Sequence, residues 1–100
     1  MARLSDGEIE RRLKELSGWA LDDRTIRKQF TLKDFPDAIA FVSRLVPGAE
    51  AADHHPDITI NYRRVTVSYS THSEGGLTEK DFAGATMAEE AFGHRATADR

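Results

Sequence analysis

The sequence predicts an α+β fold: a four-stranded antiparallel sheet with helices packed on one face, in the order helix-β-β-helix-β-β-helix. Three observations carry this expectation. Two pairs of segments alternate apolar and polar residues on either side of a short polar turn, as hairpins do. Three stretches repeat apolar residues at helical spacing before, between and after those pairs. The length, 100 residues, fits a single domain over residues 1–100 with one core. Such a sheet gives one face to the helices and leaves the other lined by Thr, Ser, Gln, Asn and His.

Ser5-Asp6-Gly7-Glu8 reads as a capping box, with Ile9, Leu13 and Leu16 recurring behind it and Ser17-Gly18 ending the helix. The segments GWAL and TIRKQFTL flank the polar turn Asp22-Asp23-Arg24. In the second of them Ile26, Phe30 and Leu32 alternate with Thr25, Arg27, Gln29 and Thr31. Asp34 is placed to cap a second helix, with Pro36 tolerated in its first turn. Phe35, Ile39, Val42, Leu45 and Val46 are its expected buried stripe, and Pro47-Gly48 is expected to kink or end it.

DITINY and RRVTVSY form the second hairpin, with Ile58, Ile60 and Tyr62 sharing a face with Val65, Val67 and Tyr69. A loop centred on Arg63-Arg64 sets Tyr62 opposite Val65, Ile60 opposite Val67 and Ile58 opposite Tyr69. Carried further, that register puts His55 opposite His72 on the polar face, with Cβ atoms roughly 5 Å apart. Pro56 cannot donate to the ladder, so formal pairing stops there. After Gly75-Gly76 a third helix opens, with Thr78 as cap, Asp81 at its third position and Leu77 stapled onto Phe82. The tail is expected to fray from about residue 93, and His94 within it is given no role.

Composition removes several classes of function. The net charge is -3 and no basic stripe is present, which argues against nucleic acid as a direct partner. The absence of cysteine excludes disulfides, thiolate metal sites and cysteine nucleophiles. No run approaches the roughly 20 apolar residues of a membrane span, and the chain reads as cytoplasmic, with no membrane partner.

What remains is a concentration of imidazole. His54 and His55 adjoin Pro56, and His72 follows in the segment STHSEGG. Histidine titrates closest to neutrality of all side chains, so rings brought together suit proton transfer or metal binding. Adjacent histidines on extended chain point in opposite directions, an awkward chelate even with Glu50, Asp53 or Asp81 to help. Acid–base work suits them better, because neighbouring imidazoles resist double protonation and one acts as acid while another acts as base. Ser68, Ser70 and Ser73 lie nearby, but none sits on a nucleophile elbow. Asp53 reads as a cap or turn residue, and Trp19 and Tyr69 as core.

From about Leu13 to Ala83 the chain resembles the pterin-4a-carbinolamine dehydratases. The resemblance rests on GWAL, FTLKDFPDAIAFV and EAADHHPDITINYRRVTVSYSTHSEGGLTEKDFA. Its most specific part is the Glu-x-x-x-His-His-Pro block, then Tyr62, Thr-His and a downstream Leu-Thr-x-x-Asp. It implies dehydration of 4a-hydroxytetrahydropterin to quinonoid dihydropterin, in the recycling of tetrahydropterin, with the pterin bound on the side of the sheet away from the helices. By the same resemblance His54, His55 and His72 match active-site histidines, and Glu50 and Asp81 match acidic pocket positions. His54 and His72 are assigned to proton transfer and His55 to binding or polarising the substrate. Glu50 is expected to orient a histidine, and Asp81 to face the pterin edge or a histidine. No cofactor and no metal is expected.

The resemblance also implies a homodimer or homotetramer. Two rival readings stay open: a non-catalytic protein-binding and dimerisation module of the coactivator kind, and a His/carboxylate metal site. Two departures from the family stand out. Pro47-Gly48 falls where a helix usually continues, and Ile58 stands where some relatives carry tryptophan.

Overall fold

The structure, a computed structural model, describes residues 3–93; His94 and the tail expected to fray lie outside them. Ser5 opens α1 (Asp6–Leu13) with one half of the capping box, its hydroxyl accepting from Glu8 N–H at 3.2 Å while the Glu8 side chain pairs with Arg11. The helix stops at Leu13, short of the expected Ser17-Gly18. A hairpin follows, β1 (Ala20–Asp22) and β2 (Thr25–Thr31), turning at Asp23 with a positive φ of 59°. Asp34 caps α2 (Phe35–Ala52) by accepting from Asp37 N–H at 2.9 Å. The second hairpin is β3 (Asp57–Asn61) and β4 (Arg64–Tyr69), followed by a single 3-10 turn, His72–Glu74, and α3 (Glu79–Gly93).

All four strands pair antiparallel in the order β1-β2-β4-β3, which leaves β1 and β3 as edges. Ile26 and Phe30 of β2 and Val65, Val67 and Tyr69 of β4 turn one face inward, where Ala38, Phe41 and Leu45 of α2 and Phe82, Ala85 and Ala88 of α3 cover it. Trp19 completes this core, and its Nε1 donates to Glu89 Oε2 at 2.9 Å. Lys28 Nζ donates to the same oxygen at 2.6 Å, tying the first hairpin to α3. The expected fold class is therefore the observed one.

Three expectations are corrected. Of the expected stripe of α2, Leu45 is buried and Val42 packs partly buried against the core, but Phe35, Ile39 and Val46 are 49%, 41% and 53% exposed, and Ala38 and Phe41 are buried in their place. The helix carries two apolar stripes at helical spacing, and the sheet takes the one whose small Ala38 permits close approach.

Pro47 does not end α2, which runs on to Ala52. The missing bond costs about 3 kcal/mol in a helix interior. Against that stand the burial of Phe41 and Leu45 before the proline and a well-formed helix end after it. At that end Asp53 takes the left-handed conformation (φ 51°, ψ 43°), with Asp53 N–H donating to Glu50 O at 3.2 Å and His54 N–H to Ala49 O at 3.1 Å. These are the two bonds of a Schellman motif, and Asp53 is its left-handed residue.

The third correction concerns the second hairpin, whose turn is Tyr62-Arg63, not Arg63-Arg64. Ile60 opposes Val65 and Ile58 opposes Val67, a slip of two residues from the expected register. Tyr62 supplies the positive φ, 56°, that closes this short turn. Because strand faces alternate with period two, the slip keeps Ile58 and Ile60 on the face of Val65 and Val67 and changes only their partners, while Tyr62 leaves the strand for the turn and is exposed.

Candidate active site

The slip decides which residues meet at the far end of the hairpin. Continued past the last paired residues, Asp57 and Ser68, the register aligns His55 with Ser70 and not with His72. His72 sits three residues beyond the end of β4, in the 3-10 turn, with its Nε2 3.4 Å from Ser70 Oγ. His54 and His55 thus follow the end of α2, and His72 follows the end of β4.

The adjacent histidines point apart, as extended chain requires. His54 turns toward the helices, where its ring lies alongside Tyr69, centroids 6.2 Å apart and planes 20° from parallel. Its Nε2 is 2.7 Å from Oδ1 of Asp81, a carboxylate with no solvent exposure, and the His54 side chain itself is only 12% exposed. His55 turns outward, and its Nε2 is 2.7 Å from Oε2 of the exposed Glu50. So Glu50 lies within reach of a histidine despite the proline three residues before it.

Asp81 is held from every side. Its Oδ2 accepts the Thr71 hydroxyl at 2.7 Å and the Thr78 backbone N–H at 2.9 Å. The two threonine hydroxyls are 2.9 Å apart, and Thr78 Oγ1 also accepts from Lys80 N–H at 3.2 Å. Thr78 is therefore the cap of α3 that the sequence predicts, and Asp81 completes the box by reaching back to it. Thr71 is fixed by a bridge to Gly76, each backbone N–H donating to the other's carbonyl. Burial, with a smaller contribution from the charge of Asp81, pushes the Tyr69 phenol up to about 12, so its ring stays neutral beside His54.

Thr71 is the contributor that sequence reasoning missed. The signal was present in its position directly before His72 and in Thr78-x-x-Asp81, but nothing in the spacing ties those two to each other. Tyr69, read as core, is core and also packs on a candidate catalytic ring. His72 lines a concavity of about 250 Å3 with Arg24, Thr25, Ser70 and Thr71. His55 lines a different, apolar groove of about 140 Å3 with Glu50, Pro56, Val42 and Ile58. Among the described residues, no three His, Asp or Glu side chains are grouped as a metal ion requires.

A small α+β domain with a buried carboxylate behind a histidine defines a candidate acid–base protein. The chain belongs to the pterin-4a-carbinolamine dehydratase family, whose profile, described as pterin 4 alpha carbinolamine dehydratase, it matches over residues 2–91. A relative from Roseiflexus sp. (strain RS-1) is 57% identical over 88 residues, covering 88% of this chain and 95% of its own. One from Sulfolobus acidocaldarius is 46% identical over 80 residues, covering 80% and 88%. Both carry provisional names as pterin-4-alpha-carbinolamine dehydratases. The crystal structure of a transcriptional coactivator/pterin dehydratase from Brucella melitensis superposes with a TM-score of 0.85 at 37% identity, over 89% of this chain and 97% of that one. A pterin dehydratase-like RuBisCO assembly factor of the alpha-carboxysome shares the fold, with a TM-score of 0.61 at 20% identity over 75% and 87% of the two chains. No helix among the described residues is long and apolar enough to cross a membrane.

Proposed function

We propose that this protein dehydrates 4a-hydroxytetrahydropterin to quinonoid dihydropterin and water in the cytoplasm, using its histidines as acid and base and no metal. The observation that carries the reading is the 2.7 Å contact between His54 and the buried Asp81, in a chain of this family. In the reaction the C4a–O bond breaks, a proton is delivered to the departing hydroxyl, and the N5 proton is removed as the C4a=N5 double bond forms. His54 and His72 carry these two transfers. Each positioned acid or base group typically contributes about a hundred- to ten-thousand-fold. His55, held by Glu50, binds or polarises the pterin. Asp81 acts through His54, since its oxygens are occupied by His54, Thr71 and Thr78.

Self-association belongs to the same proposal, as a homodimer or homotetramer. The exposed Phe35, Ile39 and Val46 of α2 and the open edge of β3 are apolar and hydrogen-bonding surfaces that a second copy of the chain can cover.

The deciding experiment is a stopped-flow dehydration assay on freshly generated carbinolamine with His54→Ala, His72→Ala and the double variant. Each single variant is expected to lose about a hundredfold or more of kcat while remaining folded. Full activity in the double variant refutes the catalytic reading and leaves a protein-binding role as the alternative.

A further inference from the structure

We propose that Thr71 is a positioning residue for the acid–base chemistry: with Thr78 it orients the hydrogen bonds of Asp81 so that His54 keeps its proton on Nε2 and presents Nδ1 as the working nitrogen.

The argument is a count of hydrogens. Thr78 N–H can only donate, and it donates to Asp81 Oδ2. Lys80 N–H likewise donates to Thr78 Oγ1. Two threonine hydroxyls then have one hydrogen each for two contacts, Thr71 with Asp81 and Thr71 with Thr78. Both contacts are satisfied when Thr78 donates to Thr71 and Thr71 donates to Asp81. Were Thr71 to donate to Thr78 instead, Asp81 would need a proton on the oxygen that already accepts from Thr78 N–H, and the Thr78 hydrogen would be left without a partner. All of these groups are buried, where an unmade hydrogen bond costs about 1–3 kcal/mol, so the satisfied arrangement wins.

The consequence falls on His54. The two donors on Oδ2 favour the charged carboxylate of Asp81, and in that form its remaining oxygen, Oδ1, accepts from His54 Nε2–H. That fixes the tautomer, and Nδ1 has no hydrogen-bond partner among the described residues. A histidine whose far nitrogen is held by a carboxylate is oriented as well as tautomerised. Thr71 makes no hydrogen bond to His54 among the described residues, and its link to that ring runs through Asp81.

The test uses 15N-labelled full-length protein and long-range 1H–15N correlation of the imidazoles, at a pH where the rings are neutral. His54 is expected as the Nε2–H tautomer in the wild type. Thr71→Val is expected to mix the tautomers and to lower kcat by roughly ten- to a hundredfold with KM nearly unchanged, the size of effect that lost outer-layer partners produce. Thr71→Ser restores the donor and is expected within about threefold of wild type. Thr78→Val, which leaves the Thr71–Asp81 bond in place, keeps the tautomer. Wild-type His54 protonated on Nδ1 overturns the inference, as does a folded Thr71→Val protein with unchanged tautomer and kcat. Should Thr71→Val fail to fold, Thr71→Ala carries the same expectation and decides in its place. The kinetic arm rests on the proposed dehydratase activity, but the spectra do not: a wild type with no turnover and an intact Nε2–H tautomer sinks that activity and leaves this inference standing.

Discussion

Gly84 of α3 lies against the ring of Tyr69: a β-carbon built on Gly84 would stand 2.8 Å from both Cδ1 and Cζ of that ring, and closer still to Cε1. The ring cannot swing away freely, since it is buried beside Trp19 on one side and His54 on another. Gly84→Ala should gain about 1 kcal/mol of helix propensity. Overpacking typically costs about 1–3 kcal/mol and is expected to win here. The variant should therefore unfold at lower urea concentration and show reduced turnover, because Tyr69 carries the displacement to His54. An Ala variant as stable and as active as wild type would mean that α3 can retreat.

Tyr69 also sets an alkaline limit on stability. Its pKa rises from the ordinary 10.0 to about 12 in the folded protein. Between those values the unfolded chain has lost the proton and the folded one still holds it, so stability falls as pH rises through that interval. The slope approaches about 1.4 kcal/mol per pH unit while only the unfolded form is ionised. Urea melts across the interval should show this decline, and Tyr69→Phe should flatten it. Parallel curves for the two proteins would remove the assignment.

Asp53 holds a left-handed conformation that glycine adopts without strain. Asp53→Gly is expected to leave activity intact and change stability by less than about 1 kcal/mol. Asp53→Val, branched at Cβ, should cost about 1–3 kcal/mol and disturb the placement of His54 and His55. Thermal melts and the dehydration assay distinguish the two. A harmless valine would show that the Schellman end does not position the histidines.

The exposed stripe of α2 gives a further expectation. Ile39→Glu with Val46→Glu places charge where no core contact is lost, so the monomer should fold as before. If a second copy covers this face, light scattering coupled to size exclusion will record a fall in mass. An unchanged mass would move the association surface to the β3 edge or abolish it.

How far the sequence revealed all this depends on which residues speak locally. Ser5-x-x-Glu8, Asp34 and Thr78-x-x-Asp81 announced three helix starts because capping acts over three residues. The alternation in β2, β3 and β4 gave the faces of the sheet, and a slip of two residues left those faces unharmed. The slip itself was hidden, since Tyr62 is an unusual residue for a positive φ and arginine pairs beside it looked like the turn. In α2 two apolar stripes compete, and nothing in the spacing says that Ala38, the smallest member, marks the inner one. Pro47 looked like a terminus because the packing that overrides it comes from other elements. At the site, residue types and the family pattern pointed to His54, His55, His72, Glu50 and Asp81. The pairing of His54 with Asp81 spans 27 residues and had to wait for coordinates.

Asp81, at the start of α3, also ties in the stretch leading into β3 through His54 and the turn after β4 through Thr71. Loosening any one of them strands a charged oxygen in the interior of the others. Fraying, which usually begins at such loop-rich ends and spreads residue by residue, is thereby made collective. This corner of the molecule opens as a unit or stays shut.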